Sequence, residues 1–258
     1  MKGVQIFTHS LNQVLGNLPS AIKISAVPYA VQFLVTFLLT RPDKMIAMSD
    51  DPMAMMAGGP SFLAQLLSMV VALAASIWIA VSWHRFVLLN EAPSGFVPPI
   101  QSDRMLGYFL RALGIGVICF LLAIVLGFVA GLVGGAIAYA TGSVVVTLLF
   151  IAILVYFPIF VIGYRLSTAL PAPAVASEAG AFMAGWDATK GQNDAFIGLG
   201  VISAAVLFLN GFVALYILSS SLVLFLAWTI VFNWLATMVA LSILTTLYGH
   251  YIEKRPLV

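Results

Sequence analysis

Residues 110–138 read LRALGIGVICFLLAIVLGFVAGLVGGAIA, and Arg111 is the one charged side chain among them. A hydrocarbon core about 30 Å thick is crossed by roughly 20 consecutive apolar residues in a helix. The stretch is therefore read as a membrane span. Its start, 105–111, is expected to lie in the interface before the helix turns inward. Working outward, five further runs reach the same length, so that spans are expected near 21–40, 62–83, 110–138, 144–164, 196–218 and 222–247. Short connections at 140–143 and 219–221 make spans three/four and five/six tight hairpins.

The composition agrees. Of 258 residues, 62% are apolar and 8% charged, against roughly 45–50% and about 25% in soluble domains. Eleven Lys and Arg with nine Asp and Glu could not cover the surface of a soluble protein of this size, and so much apolar surface excludes a disordered chain. The fold class read here is all-α: a single polytopic membrane domain over 1–258, with six transmembrane helices and interfacial amphipathic helices.

The first helix, 3–18, is one of the interfacial ones. Val4, Phe7, Leu11, Val14, Leu15 and Leu18 recur at helical spacing opposite Gln5, Thr8, His9, Asn12 and Gln13, which places the segment in the interface plane. It lacks the continuous apolar core of a signal peptide. Orientation follows from the basic residues. Lys2, Lys23, Arg85, Arg104, Arg111, Arg165, Lys190, Lys254 and Arg255 collect on one side, Arg41 and Lys44 on the other. By the positive-inside rule both termini are expected in the cytoplasm.

Two inner loops have similar anatomy. Trp83-His84-Arg85 leads to Pro93, Pro98 and Pro99, and Tyr164-Arg165 leads to Pro171 and Pro173. In the second, Ala179, Phe182, Met183 and Trp186 share a helical face, with Ser177 as N-cap, Glu178 in the first turn, Lys190 in the last and Gly191 as the stop. Two readings are open: a parallel repeat of two-helix units, or loops that look alike because they meet the same head groups.

The stretches Trp83-His84-Arg85-Phe86-Val87-Leu88-Leu89-Asn90-Glu91, Tyr164-Arg165-Leu166-Ser167 with Ala169-Leu170-Pro171-Ala172-Pro173, and Ala184-Gly185-Trp186-Asp187-Ala188-Thr189-Lys190-Gly191 resemble six-span bacterial inner-membrane proteins of the YciC-like type. They also resemble the membrane domain that accompanies some glycerophosphodiester phosphodiesterases. The resemblance covers most of 60–250. It implies a six-helix bundle with interfacial helices in a bacterial inner membrane and carries over no catalytic residue. The carboxylate-rich phosphodiesterase domain itself is absent from the sequence.

Chemistry inside the spans is sparse. No Asp or Glu falls within the six runs, which disfavours proton- or sodium-coupled transport. Asn210 and Asn233 lie near the middle of adjacent spans and are read as helix glue, with a mutual bond gaining about 0.6–1.7 kcal/mol; the competing reading is a substrate site. Gly127, Gly131 and Gly135 form a small-residue ridge on span three, suited to close helix packing inside the bundle or against a second membrane protein. Cys119 stands alone in an apolar run and suggests no disulfide or thiol chemistry.

At the inner face Arg104, Tyr108 and Arg111 follow at i, i+4 and i+7, and Arg85 and Arg165 close spans two and four. Arginine binds phosphate bidentately, so these five residues are a candidate anionic-lipid site; the alternative is ordinary positive-inside anchors. His9, His84 and His250 also map to this interface, and the last two, which end spans two and six, could meet. No metal or haem site is read from them, and no cofactor is implied. Met45, Met48, Met53, Met55 and Met56, beside Asp43, Asp50 and Asp51, are an apolar filler or a Cu(I) ligand set. P-loop, zincin, nucleophile-elbow and dinucleotide motifs are missing. Scattered basic residues exclude nucleic acid. The function expected is a non-enzymatic membrane scaffold, assembly or accessory protein that meets lipids or a partner at its cytoplasmic face; the alternative is a flippase-like carrier of an amphipathic substrate.

Overall fold

A computed structural model describes residues 2–40, 59–177, 182–216 and 221–257. The five loop methionines lie outside these residues, as do Glu178, Ala179 and Ser219. In chain order the helices are α1 (Lys2–Gly16), α2 (Leu18–Thr40), α3 (Phe62–Leu89), α4 (Ser102–Thr141), α5 (Val144–Ile151), α6 (Phe157–Ser167), α7 (Ala184–Ala188), α8 (Asn193–Tyr216) and α9 (Leu222–Tyr251). There is no strand among the described residues. Six stretches are long and apolar enough to cross a membrane: α2, α3, α4, α5 with α6, α8 and α9. The chain is a multi-pass all-α membrane protein.

The helices begin and end where the local chemistry directs. Ser61, Ser143 and Ser221 precede α3, α5 and α9, and each side chain accepts from the backbone N–H three residues on, satisfying one of the donors a helix start leaves unpaired. Gly142, at φ 60°, closes α4 in the left-handed conformation that glycine adopts without strain. Between α5 and α6 the helix widens into one π turn, Ala152–Tyr156. Pro158 follows after Phe157; it lacks an N–H and its ring crowds the preceding turn, which the wider turn accommodates.

Two segments read as interfacial gain a packing role. The segment 105–111 does not lie apart from span three: α4 is one helix of 40 residues, about 60 Å long at 1.5 Å per residue. It needs no bend because its first turns pack into the protein, with Tyr108 and Ile115 buried. Nor does α1 rest on its apolar stripe alone. It docks onto α8 and α9 through Gly3, Ile6, Ser10 and Val14, while Val4 and Leu15 remain exposed. The reason is close approach: a Cβ at Gly3 would stand 2.6 Å from the carbonyl oxygen of Ala195 and 2.8 Å from the nitrogen of Leu199.

The packed core sits at the end of the bundle that carries α1 and the last turns of α3 and α9. One cluster joins Ile6, Val14, Ile24, Ile79, Trp83, Phe196, Leu199, Met238 and Leu247. A second joins Ile77, Ala80, Val81, Tyr108, Ile115, Leu166, Leu170 and Ala174. Lipid tails are as apolar as side chains, so packing and hydrogen bonds hold such helices together. Here Trp234 Nε1 donates to Ser25 Oγ at 2.7 Å and Tyr29 OH to the carbonyl of Ile230 at 3.0 Å, both tying α2 to α9. The far half of α4 has little cover, with Phe120 64%, Phe128 69% and Tyr139 95% exposed.

Candidate functional site at the basic end

The segment 168–176, Thr-Ala-Leu-Pro-Ala-Pro-Ala-Val-Ala, fills the space between α3, α4 and α9. It advances by successive turns, with Leu170, Ala172, Ala174 and Val175 each donating to the carbonyl three residues back. Proline suits such turns, since its φ is preset and it has no N–H to satisfy. Alanine lets the backbone come inside: Ala169, Ala172 and Ala174 are almost fully buried. Buried carbonyls need partners, and arginines provide two of them. Arg85 Nη1 donates to Ala174 O at 2.8 Å and Arg111 Nη1 to Ala169 O at 3.0 Å. Arg85 also pairs with Glu91 through Nε and Nη2.

Beside them is a buried polar triad. Thr245 Oγ1 donates to the carbonyl of Leu241 at 2.8 Å, so its oxygen is an acceptor toward His84 Nδ1, 2.8 Å away. His84 therefore carries its proton on Nδ1. Its Nε2 then accepts from Tyr108 OH at 3.3 Å. Both ring nitrogens of this fully buried histidine are used within the protein.

Arg165 sits apart from this group. Its guanidinium lies 4.1 Å from the centroid of the Trp186 ring, a cation–π arrangement. It donates to Thr189 Oγ1 and Thr189 O, both at 3.3 Å, and to Asn193 Oδ1 at 3.2 Å. α7 reaches this position because Gly185 lies against the end of α6, where a Cβ would be 2.7 Å from Arg165 O.

Of the five residues read as a lipid site, the structure thus brings Arg85, Tyr108 and Arg111 together around segment 168–176 and sets Arg165 against α7. Arg104 is exposed, with no hydrogen bond or ion pair among the described residues. Tyr108 faces His84 instead of sharing a surface with Arg104. His84 and His250 do not meet: His250 Nδ1 donates to the carbonyl of Arg255 at 3.0 Å.

Asn210 and Asn233 do not bond to each other. Asn210 Oδ1 accepts from Trp228 Nε1 at 2.9 Å, linking α8 to α9, and Asn233 is exposed. A Cβ at Gly127, Gly131 or Gly135 would meet nothing within 4 Å, so the ridge is open. The glycines of α4 that seat other parts of the bundle include Gly107, where a Cβ would stand 3.4 Å from Pro173 Cβ, Gly114, where it would stand 2.6 Å from Phe182 Cε2, and Gly134, where it would stand 3.6 Å from Phe150 Cδ1. The seven-residue spacing of Gly107 and Gly114 is the signal that could have found those two.

A pocket of 190 Å³ lies between α1, the ends of α3 and α9 and the tail 252–257, lined among others by His9, Gln13, Thr246, His250 and Arg255. Because these residues come from segments far apart in the chain, no local motif announces it. An apolar groove of 340 Å³ lies among α1, α6, α8 and α9, its polar groups being Tyr164 and Ser203, whose hydroxyls are 2.8 Å apart. Among known proteins, no family model, curated protein or solved structure matches this chain.

Proposed function

We propose that the protein is a non-enzymatic scaffold or accessory subunit of a bacterial inner membrane, with both termini cytoplasmic and a partner transmembrane helix seated on the far half of α4. The observation that carries the reading is a contrast. The guanidinium groups of Arg85, Arg111 and Arg165 are held by groups of the chain itself, whereas the ridge of Gly127, Gly131 and Gly135 stands open among exposed apolar side chains. Small residues spaced by four let two helix backbones approach closely, which rewards a protein partner more than a lipid tail. The count of basic residues supports the orientation. Arg104 and the exposed Phe96, Val97 and Ile100 of the loop before α4 supply contact with head groups.

The apolar groove favours the second reading, a carrier of an amphipathic substrate. It lacks the amides a polar substrate would need, since neither Asn210 nor Asn233 lines it. Purification in a mild detergent, with mass spectrometry of all retained proteins and lipids, tests the choice. The scaffold reading expects a stoichiometric membrane protein that is lost from Gly131→Leu. A retained amphipathic small molecule, with no protein lost from the variant, supports the carrier.

A further inference from the structure

The pocket at the end of α9 has a donor set that the scaffold reading does not use, and the inference drawn from it stands without that reading. Gln13, on α1, accepts from Ser242 Oγ through its Oε1. That bond fixes which way the amide faces and leaves the two N–H groups of Nε2 without a protein partner among the described residues. Arg255 is held at two points: Nε pairs with Glu253 Oε2 at 2.6 Å and Nη2 donates to the carbonyl of Leu88 at 2.9 Å. Its Nη1 remains unassigned. His250 spends its ring proton on the carbonyl of Arg255 through Nδ1, which leaves Nε2 as an acceptor. His9 adds a third basic side chain to the lining.

The tail holds these groups in place. Lys254, at φ 60°, turns the chain back, and Arg255 N–H donates to the carbonyl of Gly249 at 2.8 Å. The two anchors of the guanidinium therefore fix where Nη1 can reach. No acidic side chain lines the pocket, and the one acid of the tail, Glu253, is paired with Arg255. Val87, Leu88 and Leu257 give the same pocket an apolar side. Its 190 Å³ leaves room for one tetrahedral oxyanion.

We propose that this pocket binds a phosphate group, with Gln13 Nε2 and Arg255 Nη1 as donors and His250 Nε2 accepting from a phosphate hydroxyl, either as free phosphate or as the head group of an anionic phospholipid. Preset donors with a guanidinium among them are the chemistry that selects phosphate over neutral head groups.

The test uses full-length protein and follows thermal unfolding by tryptophan fluorescence. Two probes are compared: inorganic phosphate added to protein in a neutral detergent, and nanodiscs of phosphatidylcholine with or without phosphatidic acid. The informative variant is Gln13→Glu. It keeps an oxygen for Ser242 while replacing the donors by a carboxylate, which repels phosphate. Arg255→Met, which removes the guanidinium donor, is the second variant, should the first fail to fold.

The proposal expects the wild type to be stabilised by at least one probe, and the concentration required to rise about tenfold or more in the variant, the loss of one charge-assisted bond. A response to inorganic phosphate identifies the free ion. A response to phosphatidic acid alone identifies the lipid. If neither probe shifts the wild type, or wild type and folded variant shift alike, the proposal is overturned.

Discussion

Arg85 Nη1 donates to the backbone carbonyl of Ala174, 2.8 Å away and 89 positions along the chain. With Arg111 on Ala169 O, it makes the end of α3 and the start of α4 a clamp on segment 168–176. Ordinary positive-inside arginines snorkel into head groups; these two are turned inward and satisfy a backbone that could not otherwise be buried.

Arg85→Met should therefore destabilise the protein by about 1.5–3 kcal/mol, the value of a hydrogen bond to a charged group with its partner left unsatisfied. The check is thermal unfolding in detergent together with limited proteolysis. Cleavage within 168–176 should accelerate in Arg85→Met and in Arg111→Met, and should be unchanged in Arg104→Met, whose side chain is exposed.

Two glycines mark backbone crossings. A Cβ at Gly3 would lie 2.6 Å from Ala195 O, and one at Gly185 would lie 2.7 Å from Arg165 O. Neither neighbour is a side chain that can swing away, so Gly3→Ala and Gly185→Ala should each cost about 1–3 kcal/mol by overpacking. Gly131→Ala meets open space and should leave the melting temperature of the isolated protein unchanged or slightly raised.

The triad fixes a tautomer. Because Thr245 gives its hydroxyl proton to Leu241 O, His84 should be protonated on Nδ1 and unprotonated on Nε2, which nitrogen-15 NMR of labelled histidine distinguishes. Tyr108→Phe removes the donor to Nε2 and should cost about 1–3 kcal/mol, the penalty of a buried acceptor left unpaired. An Nε2–H signal for His84 would contradict the arrangement.

The six spans were legible because lipid imposes a length and a composition on every crossing, and runs such as 110–138 meet both. What escaped were the choices made where the bundle leaves lipid. Tyr108 and Arg111 lie among residues that read equally well as interfacial, and only contact with His84 and Ala169 shows that α4 starts inside the protein. For α1, the apolar stripe suggested a helix in the interface plane, and its docking onto α8 and α9, set by the close approach at Gly3 and the burial of Ser10, was not announced by that stripe. Of the conspicuous glycines of α4, Gly127, Gly131 and Gly135 stay open and Gly134 packs against Phe150. Gly107 and Gly114, less conspicuous because they are not in a run, are the ones that seat Pro173 and Phe182. Partners far along the chain leave no local period to read.

The proposed role rests on the open face of α4, and photo-crosslinking in native membranes tests it most directly. A benzophenone amino acid is placed at Phe128 or Leu132, 69% and 64% exposed beside the ridge, and at Ile115, 5% exposed, as the control. The account predicts a defined protein adduct from positions 128 and 132, absent from 115 and abolished by Gly131→Leu. Adducts with lipid alone, or the same pattern at all three positions, would contradict it.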